Sequence, residues 1–260
     1  MGVPPTGEVP GESGTASPVS VAASQPDTLV IYSINIRCLL NNLTELSHQI
    51  NRLQPQIVLV QESWLNESID NVSLPGYNCI SRRDRAEQEN RGGIICFARQ
   101  DLGNLVHLKK SDVAERSWDL LHTDTGSILI CNWYRPPSSD MAHIDSFYDE
   151  LQELGDSMIG CIVMGDLNIH HRRWLIHSNN NTAEGDRLKH ICDDFDLQQL
   201  IREPTRGLYL LDLCLTDLEG SKTEVTSSIA DHKSIILRVP LHVPTIKRIP
   251  RMVWHLKEAN

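Results

Sequence analysis

The feature that most constrains this chain is a set of short, β-rich apolar runs, each ended or broken by a polar side chain. Leu29 to Ile36 (LVIYSINI) carries Asn35 near its end, Ile57 to Glu62 (IVLVQE) ends on Glu62, and Ser127 to Tyr134 ends on Tyr134. Cys161-Ile162-Val163-Met164 leads straight into Gly165-Asp166-Leu167-Asn168. Farther on, Asp212 interrupts Leu210-Leu211 and Leu213, and Asp231-His232 precedes Ser234 to Val239. Runs of this length and composition read as strands. Neighbouring strand ends in one sheet lie about 5 Å apart, so the polar groups they deliver can converge on one rim. An unpaired buried carboxylate is costly, so Asp212 needs a partner, and a histidine is a natural one.

Between these runs, Leu39, Leu43, Leu46, Ile50 and Leu53 recur at spacings of three and four, the stripe of an amphipathic helix closed by Pro55. Gly92 to Phe97 and Trp118 to His122 read as further strands, Ala142 to Leu154 and Glu184 to Phe195 as helices, and Tyr209 to Thr216 as a late strand. Strands outnumber helices roughly two to one, and their continuous apolar character calls for sheets buried on a face. Two packed sheets with helices outside satisfy that pattern. No internal repeat of fixed period is present.

At 260 residues, 40% hydrophobic and 22% charged, the chain is ordinary globular material, enough for one large domain or two small ones. The formal net charge of -10 excludes a broad basic surface, although a local basic rim is compatible with it. Residues 1–27, with five prolines and four glycines up to Pro26 and no apolar segment, read as a flexible leader rather than a signal peptide. The ordered domain is expected over 28–241 and a linker-like tail over 242–260. No run approaches about 18 apolar residues, the length of a membrane helix. The seven cysteines form no C-x-x-C pair, and Cys96, Cys131, Cys161 and Cys214 lie inside apolar runs. Free thiols in a reducing, intracellular compartment are the expectation, and the N-x-S/T triplets at Asn42, Asn66, Asn71 and Asn180 are then chance matches.

Carboxylates and amide oxygens together are the ligand set of a hard cation such as Mg2+. An Asp and an Asn two apart project to the same side of extended backbone, and a His directly after an Asp adds a proton carrier or phosphate donor. Each signal alone has a plainer reading, since an Asp or Asn after a strand is usually a turn residue. His170-His171 lack the spaced partners of a zinc site, and Trp174 reads as a loop anchor. Their ordered recurrence along the chain is what a turn residue does not explain.

In that order, Asn35 in S-I-N-I, Glu62 in Q-E-S, Tyr134 in W-Y-R-P-P, Asp166 and Asn168 in G-D-L-N, Asp212 in L-L-D-L-C-L-T and Asp231-His232 in A-D-H resemble the endonuclease/exonuclease/phosphatase superfamily. His170 to Trp174, Pro204-Thr205-Arg206 and Arg135-Pro136-Pro137 are similar to one branch, the endonuclease domains of non-LTR (LINE-type) retrotransposons. Pro250 to Trp254 is similar to the connector that leads to a reverse transcriptase in that branch.

The resemblance implies an α/β (α+β) fold, a four-layer αββα sandwich of two packed mixed β-sheets flanked by helices, as in deoxyribonuclease. It implies a Mg2+-dependent endonuclease, with Mn2+ as the alternative metal, that nicks double-stranded DNA in the nucleus beside a reverse transcriptase domain. Glu62, Asn35 and Asp231 are then the metal ligands. Asp166 orients or deprotonates water, Asn168 and Tyr134 donate to the phosphate, and Asp212 holds His232. Arg172, Arg173, Arg206 and Thr205 are the expected DNA contacts, with a buttress of the site as the alternative for Thr205, and with Arg82, Arg83, Arg85, Arg91 and Arg202 on nearby loops; such binding is phosphate-led and salt-sensitive. Two departures stand out: Arg37 where repair endonucleases carry an Asp, and Ala230 where a Ser is usual. The competing functions are a same-fold phosphatase or phosphodiesterase and a catalytically silent DNA-binding remnant.

Overall fold

The computed structural model describes Gly2 and residues 28–85 and 91–245. The expected leader, apart from Gly2, and the tail beyond residue 245 lie outside the described residues.

The first apolar run forms β1 (Leu29–Asn35), buried along its whole length. Leu29 and Ile31 enter the core between the sheets, whereas Val30, Tyr32 and Ile34 pack under the first helix, α1 (Leu39–Leu53). Burial on both faces is why the run is continuously apolar rather than alternating. α1 buries Leu39, Leu46 and Ile50 and ends on Gln54 in the left-handed conformation just before Pro55. β2 (Ile57–Gln61) then lies parallel to β1, completing a strand-helix-strand unit.

The chain continues through β3 (Tyr77–Arg83), β4 (Ile94–Arg99), β5 (Leu105–Lys110), β6 (Glu115–His122) and β7 (Ser127–Tyr134). A second such unit follows, with α2 (Ala142–Leu154) and β8 (Gly160–Asp166), the latter parallel to β7. The remaining elements are α3 (Ala183–Asp194), β9 (Gln198–Gln199), β10 (Asp212–Thr216), β11 (Lys222–Ile229) and β12 (His232–Val239). One six-stranded sheet runs β11-β12-β1-β2-β4-β3 and the other β5-β6-β7-β8-β10-β9. They pack face to face, with α1 over one outer face and α2 and α3 over the other, the four layers expected from the sequence.

This topology creates the site. The parallel pairs β1/β2 and β7/β8 must end at the same rim, and β12 and β10, antiparallel to β1 and β8, begin there. Asn35, Gln61, Tyr134 and Asp166 are last residues of their strands, and Asp212 and His232 are first residues of theirs. Just beneath, Gln61 donates across the seam to Asn132 Oδ1 at 2.7 Å, and Asn132 Nδ2 donates back to the Ile95 carbonyl at 3.1 Å. Buried amides paired in this way fix the register of one sheet on the other.

Four strands carry no continuous apolar run in the sequence, β3, β5, β9 and β11, and all four are sheet edges. An edge strand can turn side chains to solvent, so polar composition there conflicts with nothing. The run Tyr209 to Thr216 is strand only from Asp212 onward, because Thr205 Oγ1 takes the backbone N–H groups of Leu211 and Asp212, each at 3.1 Å. All seven cysteines are free, five of them buried. Among the described residues, no helix is long and apolar enough to cross a membrane.

Beneath α2, Arg116 is fully buried, stacked over the Trp133 ring at 4.5 Å and donating to Glu150 Oε2 at 2.8 Å; Trp118 Nε1 donates to the same oxygen at 2.5 Å. Removing one partner of a buried ion pair strands the other charge at a cost of about 3–5 kcal/mol. Glu150→Ala is therefore expected to lower stability by about that much in urea unfolding. A loss below about 1 kcal/mol, the worth of an exposed pair, would contradict this assignment.

Candidate active site

Asn35 stands at the centre of the rim. Its Nδ2 donates to Glu62 Oε1 and to Asp166 Oδ2, both at 2.8 Å, so one buried amide bridges carboxylates from the two sheets. Its Oδ1 accepts from the Arg37 backbone N–H at 3.3 Å. Asp166 lies opposite Asp212 in the β8/β10 register, and His232 reaches both: Nδ1 is 2.8 Å from Asp212 Oδ2 and Nε2 is 3.8 Å from Asp166 Oδ2. An unbroken polar chain thus runs Asp212, His232, Asp166, Asn35, Glu62.

Burial and electrostatics set the protonation of this chain. Burial alone would lower the His232 pKa, but the carboxylates of Asp212 and Asp166 outweigh it and hold the imidazole up at about 9. Burial, reinforced by the Asp212 carboxylate, pushes Asp166 upward to about 7. Below its raised pKa the imidazole is an imidazolium with both nitrogens as donors, one aimed at Asp212 and the other toward Asp166. Burial also raises the Tyr134 hydroxyl, with Glu62 and Asp166 adding to the effect, so it stays a protonated donor.

The glycine of Gly165-Asp166-Leu167-Asn168 has a steric cause. Gly165 takes φ +151°, and a Cβ there would lie 1.8 Å from the Trp133 carbonyl oxygen. Only a residue without a side chain lets β8 approach β7 so closely at the point where Asp166 is delivered. Asn168 follows in the left-handed conformation (φ 48°), its backbone N–H on Asp166 Oδ1 at 3.2 Å and its Nδ2 on the Arg135 carbonyl at 2.9 Å. One amide hydrogen of Asn168 remains for another acceptor.

Asp231, the third expected ligand, receives Arg206 at 2.7 Å and Arg37 at 3.5 Å, both on Oδ2. Burial would raise this carboxyl, but Arg206, His232 and Arg37 hold it below its ordinary value. Its other oxygen, Oδ1, is buried with no hydrogen-bond partner. An orphaned carboxylate oxygen on the rim that also carries Asn35 and Glu62 fits a hard cation. Asp166, Asp212 and His232 also bring ligand atoms within 4.8 Å of one another. To coordinate a metal, however, His232 would first have to give up the proton that the Asp212 and Asp166 carboxylates hold on its ring. The donor chemistry therefore favours Glu62, Asn35 and Asp231 as the cation's end and leaves the other three as an ion-paired unit around His232.

The expected DNA contacts divide. Arg172 and Arg173 are exposed on the loop after β8, where Arg172 Nε donates to the Asn179 carbonyl at 2.7 Å. Arg206 is partly exposed and tied to Asp231. Thr205 does not belong on a DNA-facing surface: it is fully buried, and its hydroxyl buttresses the start of β10. His171 is structural, its Nδ1 accepting from the Trp174 N–H at 3.1 Å and its Nε2 meeting Asp186 at 3.0 Å. Trp174 packs on the core. Sequence reasoning passed over Trp64, whose indole N–H donates to Glu62 Oε2 at 3.0 Å; an aromatic two residues beyond a strand-ending carboxylate was the available signal.

Comparison with known proteins agrees with this geometry. Residues 128–236 match the family described as endonuclease-reverse transcriptase. The fold is similar to the endonuclease domain of TRAS1, a telomere-specific non-LTR retrotransposon (TM-score 0.67, 15% identity, 83% of this chain and 99% of that one). It is similar also to the AP endonuclease LMAP from Leishmania major (TM-score 0.66, 15% identity, 82% and 88%) and to the Xenopus laevis APE2 catalytic domain (TM-score 0.64, 12% identity, 84% and 93%). No curated protein sequence matches the chain.

The Asp212–His232 pair yields a pH-dependent stability. The folded pKa of His232, about 9, lies above its ordinary 6.5. Its contribution is therefore complete below about pH 6.5 and is lost as pH rises through about 9. Asp212→Asn should lower stability by on the order of 3 kcal/mol near pH 6, with the gap closing by about pH 10. Chemical unfolding of both proteins across that range, with chelator present, measures it; a gap independent of pH would refute the charged pairing.

Proposed function

We propose that this chain, which resembles the endonuclease/exonuclease/phosphatase superfamily in fold and the endonuclease-reverse transcriptase family in sequence, is a metal-dependent endonuclease that nicks DNA. The proposal includes a place in target-site cleavage by a non-LTR retrotransposon, in the nucleus, with a reverse transcriptase domain as partner. The observation that carries it is the chain of hydrogen bonds and one ion pair from Asp212 to Glu62, which sets a proton acceptor, a cationic donor and an oxygen ligand set side by side on one rim.

Glu62, Asn35 and Asp231 would hold Mg2+, with Mn2+ as the substitute. When bound, the ion supplies a Lewis acid for the charge that develops on the phosphoryl and leaving oxygens. Asp166, poised near neutrality, orients water and accepts its proton. His232 donates from Nε2 to a non-bridging phosphate oxygen while Asp212 fixes its other nitrogen. Asn168 donates its uncommitted amide hydrogen, and Tyr134 its hydroxyl, to the same phosphate. Arg172, Arg173 and Arg206 contact flanking phosphates, so affinity falls with salt, and any sequence preference comes from duplex shape as much as from base edges.

Supercoiled plasmid tests this. The wild type should nick it in Mg2+ or Mn2+ and cease in EDTA. Glu62→Ala should keep its fold and lose at least about 10³-fold in rate, since the cation loses its main ligand. Absence of nicking by the wild type in either metal would overturn the proposal, in favour of a phosphatase if a small phosphate ester is hydrolysed or of a DNA-binding remnant if duplex is bound uncut.

A further inference from the structure

Beyond β2 the backbone does something unusual. Glu62 and Trp64 both adopt the left-handed conformation, at φ 50° and 52°, although neither is a glycine. Non-glycine residues persist there only when their surroundings over-determine them. Here the Ser63 N–H donates to the Gly93 carbonyl at 3.1 Å and the Trp64 N–H to the Gly92 carbonyl at 2.9 Å. Gly92 and Gly93 themselves have φ 91° and 81°, and a Cβ on Gly93 would lie 2.7 Å from Ser63 Oγ. Glu115 Oε2 closes the arrangement by accepting from the Gly93 N–H at 2.5 Å.

The consequence of this turn is local and chemical. It folds the Trp64 indole back onto the residue that precedes it by two, where Nε1 donates to Glu62 Oε2 at 3.0 Å. The other carboxylate oxygen, Oε1, accepts from Asn35 at 2.8 Å. Each oxygen of Glu62 thus has one donor, which fixes the rotation of the carboxylate and leaves lone pairs on both oxygens for another partner. The exposed Arg91, on the segment that leads into Gly92 and Gly93, sets its guanidinium over the indole ring, 5.7 Å from its centroid.

We infer that Trp64 is a positioning residue that orients the Glu62 carboxylate for a divalent cation, with Arg91 holding the ring in place. Packing alone does not account for it, because a half-buried ring could satisfy its N–H with water without a strained turn. Groups that hold a metal ligand in place are worth about 10–100-fold in affinity. The inference rests on the reading of Glu62 as the cation's ligand, and the test separates the two.

Mn2+ binding is measured by electron paramagnetic resonance, without DNA, on the wild type, Trp64→Phe and Glu62→Gln. Phenylalanine keeps the ring and deletes the donor. Trp64→Phe should bind Mn2+ about ten-fold more weakly at an unchanged melting temperature, and Glu62→Gln more weakly still. Wild-type affinity in Trp64→Phe alongside weakened binding in Glu62→Gln overturns the role of Trp64 and leaves the ligand assignment standing. Wild-type affinity in Glu62→Gln overturns both. Should Trp64→Phe fail to fold, the wild type decides through the indole ¹H–¹⁵N signal of Trp64. It should move on Mg2+ titration; a signal indifferent to Mg2+ overturns the inference.

Discussion

One primary amide holds this molecule's chemistry together. Asn35 donates its two hydrogens to carboxylates on opposite sheets, Glu62 from one and Asp166 from the other. Two carboxylates brought this close repel unless something between them is positive or donates. The amide supplies two donors without a charge, so the sheets can close over a rim that would otherwise push itself open. Replacing it with an acid would add to the repulsion, and replacing it with an apolar residue would leave both carboxylates short of a partner. The Gln61–Asn132 contact just below does the same for the register, locking the strand ends before any ligand arrives.

From that bridge the electrostatics follow. Asp166, Asp212 and Glu62 gather negative charge in a largely buried place, and the molecule answers in two ways. One is internal: His232 takes up a proton and keeps it well above neutral pH, because Asp212 and Asp166 together outweigh its burial. The other lies at the edge of the rim: Arg206 and Arg37 reach one oxygen of Asp231, whose second oxygen is buried without a donor. A rim that is part proton-charged and part oxygen-rich suits the proposed binding of a phosphodiester beside a cation, despite a net charge of -10 over the whole chain.

How much of this was legible in the sequence follows from burial. Central strands such as β1, β2, β7 and β8 are covered on both faces and so announce themselves as apolar runs, and the stripe of α1 has the same cause. The edge strands β3, β5, β9 and β11 are half open to solvent, and their composition carries no such mark. Among site residues, those that punctuate apolar runs were readable, because a polar group at the end of a buried strand is conspicuous. Asn132 was not, since an asparagine within a strand gains meaning only from what lies across the seam; Trp64 takes its meaning from a turn that folds it back onto Glu62, which composition does not announce. For Thr205 the sequence left two roles open, DNA contact or buttress, and burial decides for the buttress: its hydroxyl is consumed by the backbone at the start of β10.

The central claim is that the rim is a pre-charged unit, with an imidazolium held between two carboxylates before substrate binds. Long-range ¹H–¹⁵N NMR of the His232 ring across a pH titration tests it most directly. The account predicts that both ring nitrogens are protonated at neutral pH and that the ring titrates near pH 9. A neutral ring at pH 7, or a midpoint at or below the ordinary value of about 6.5, would contradict it.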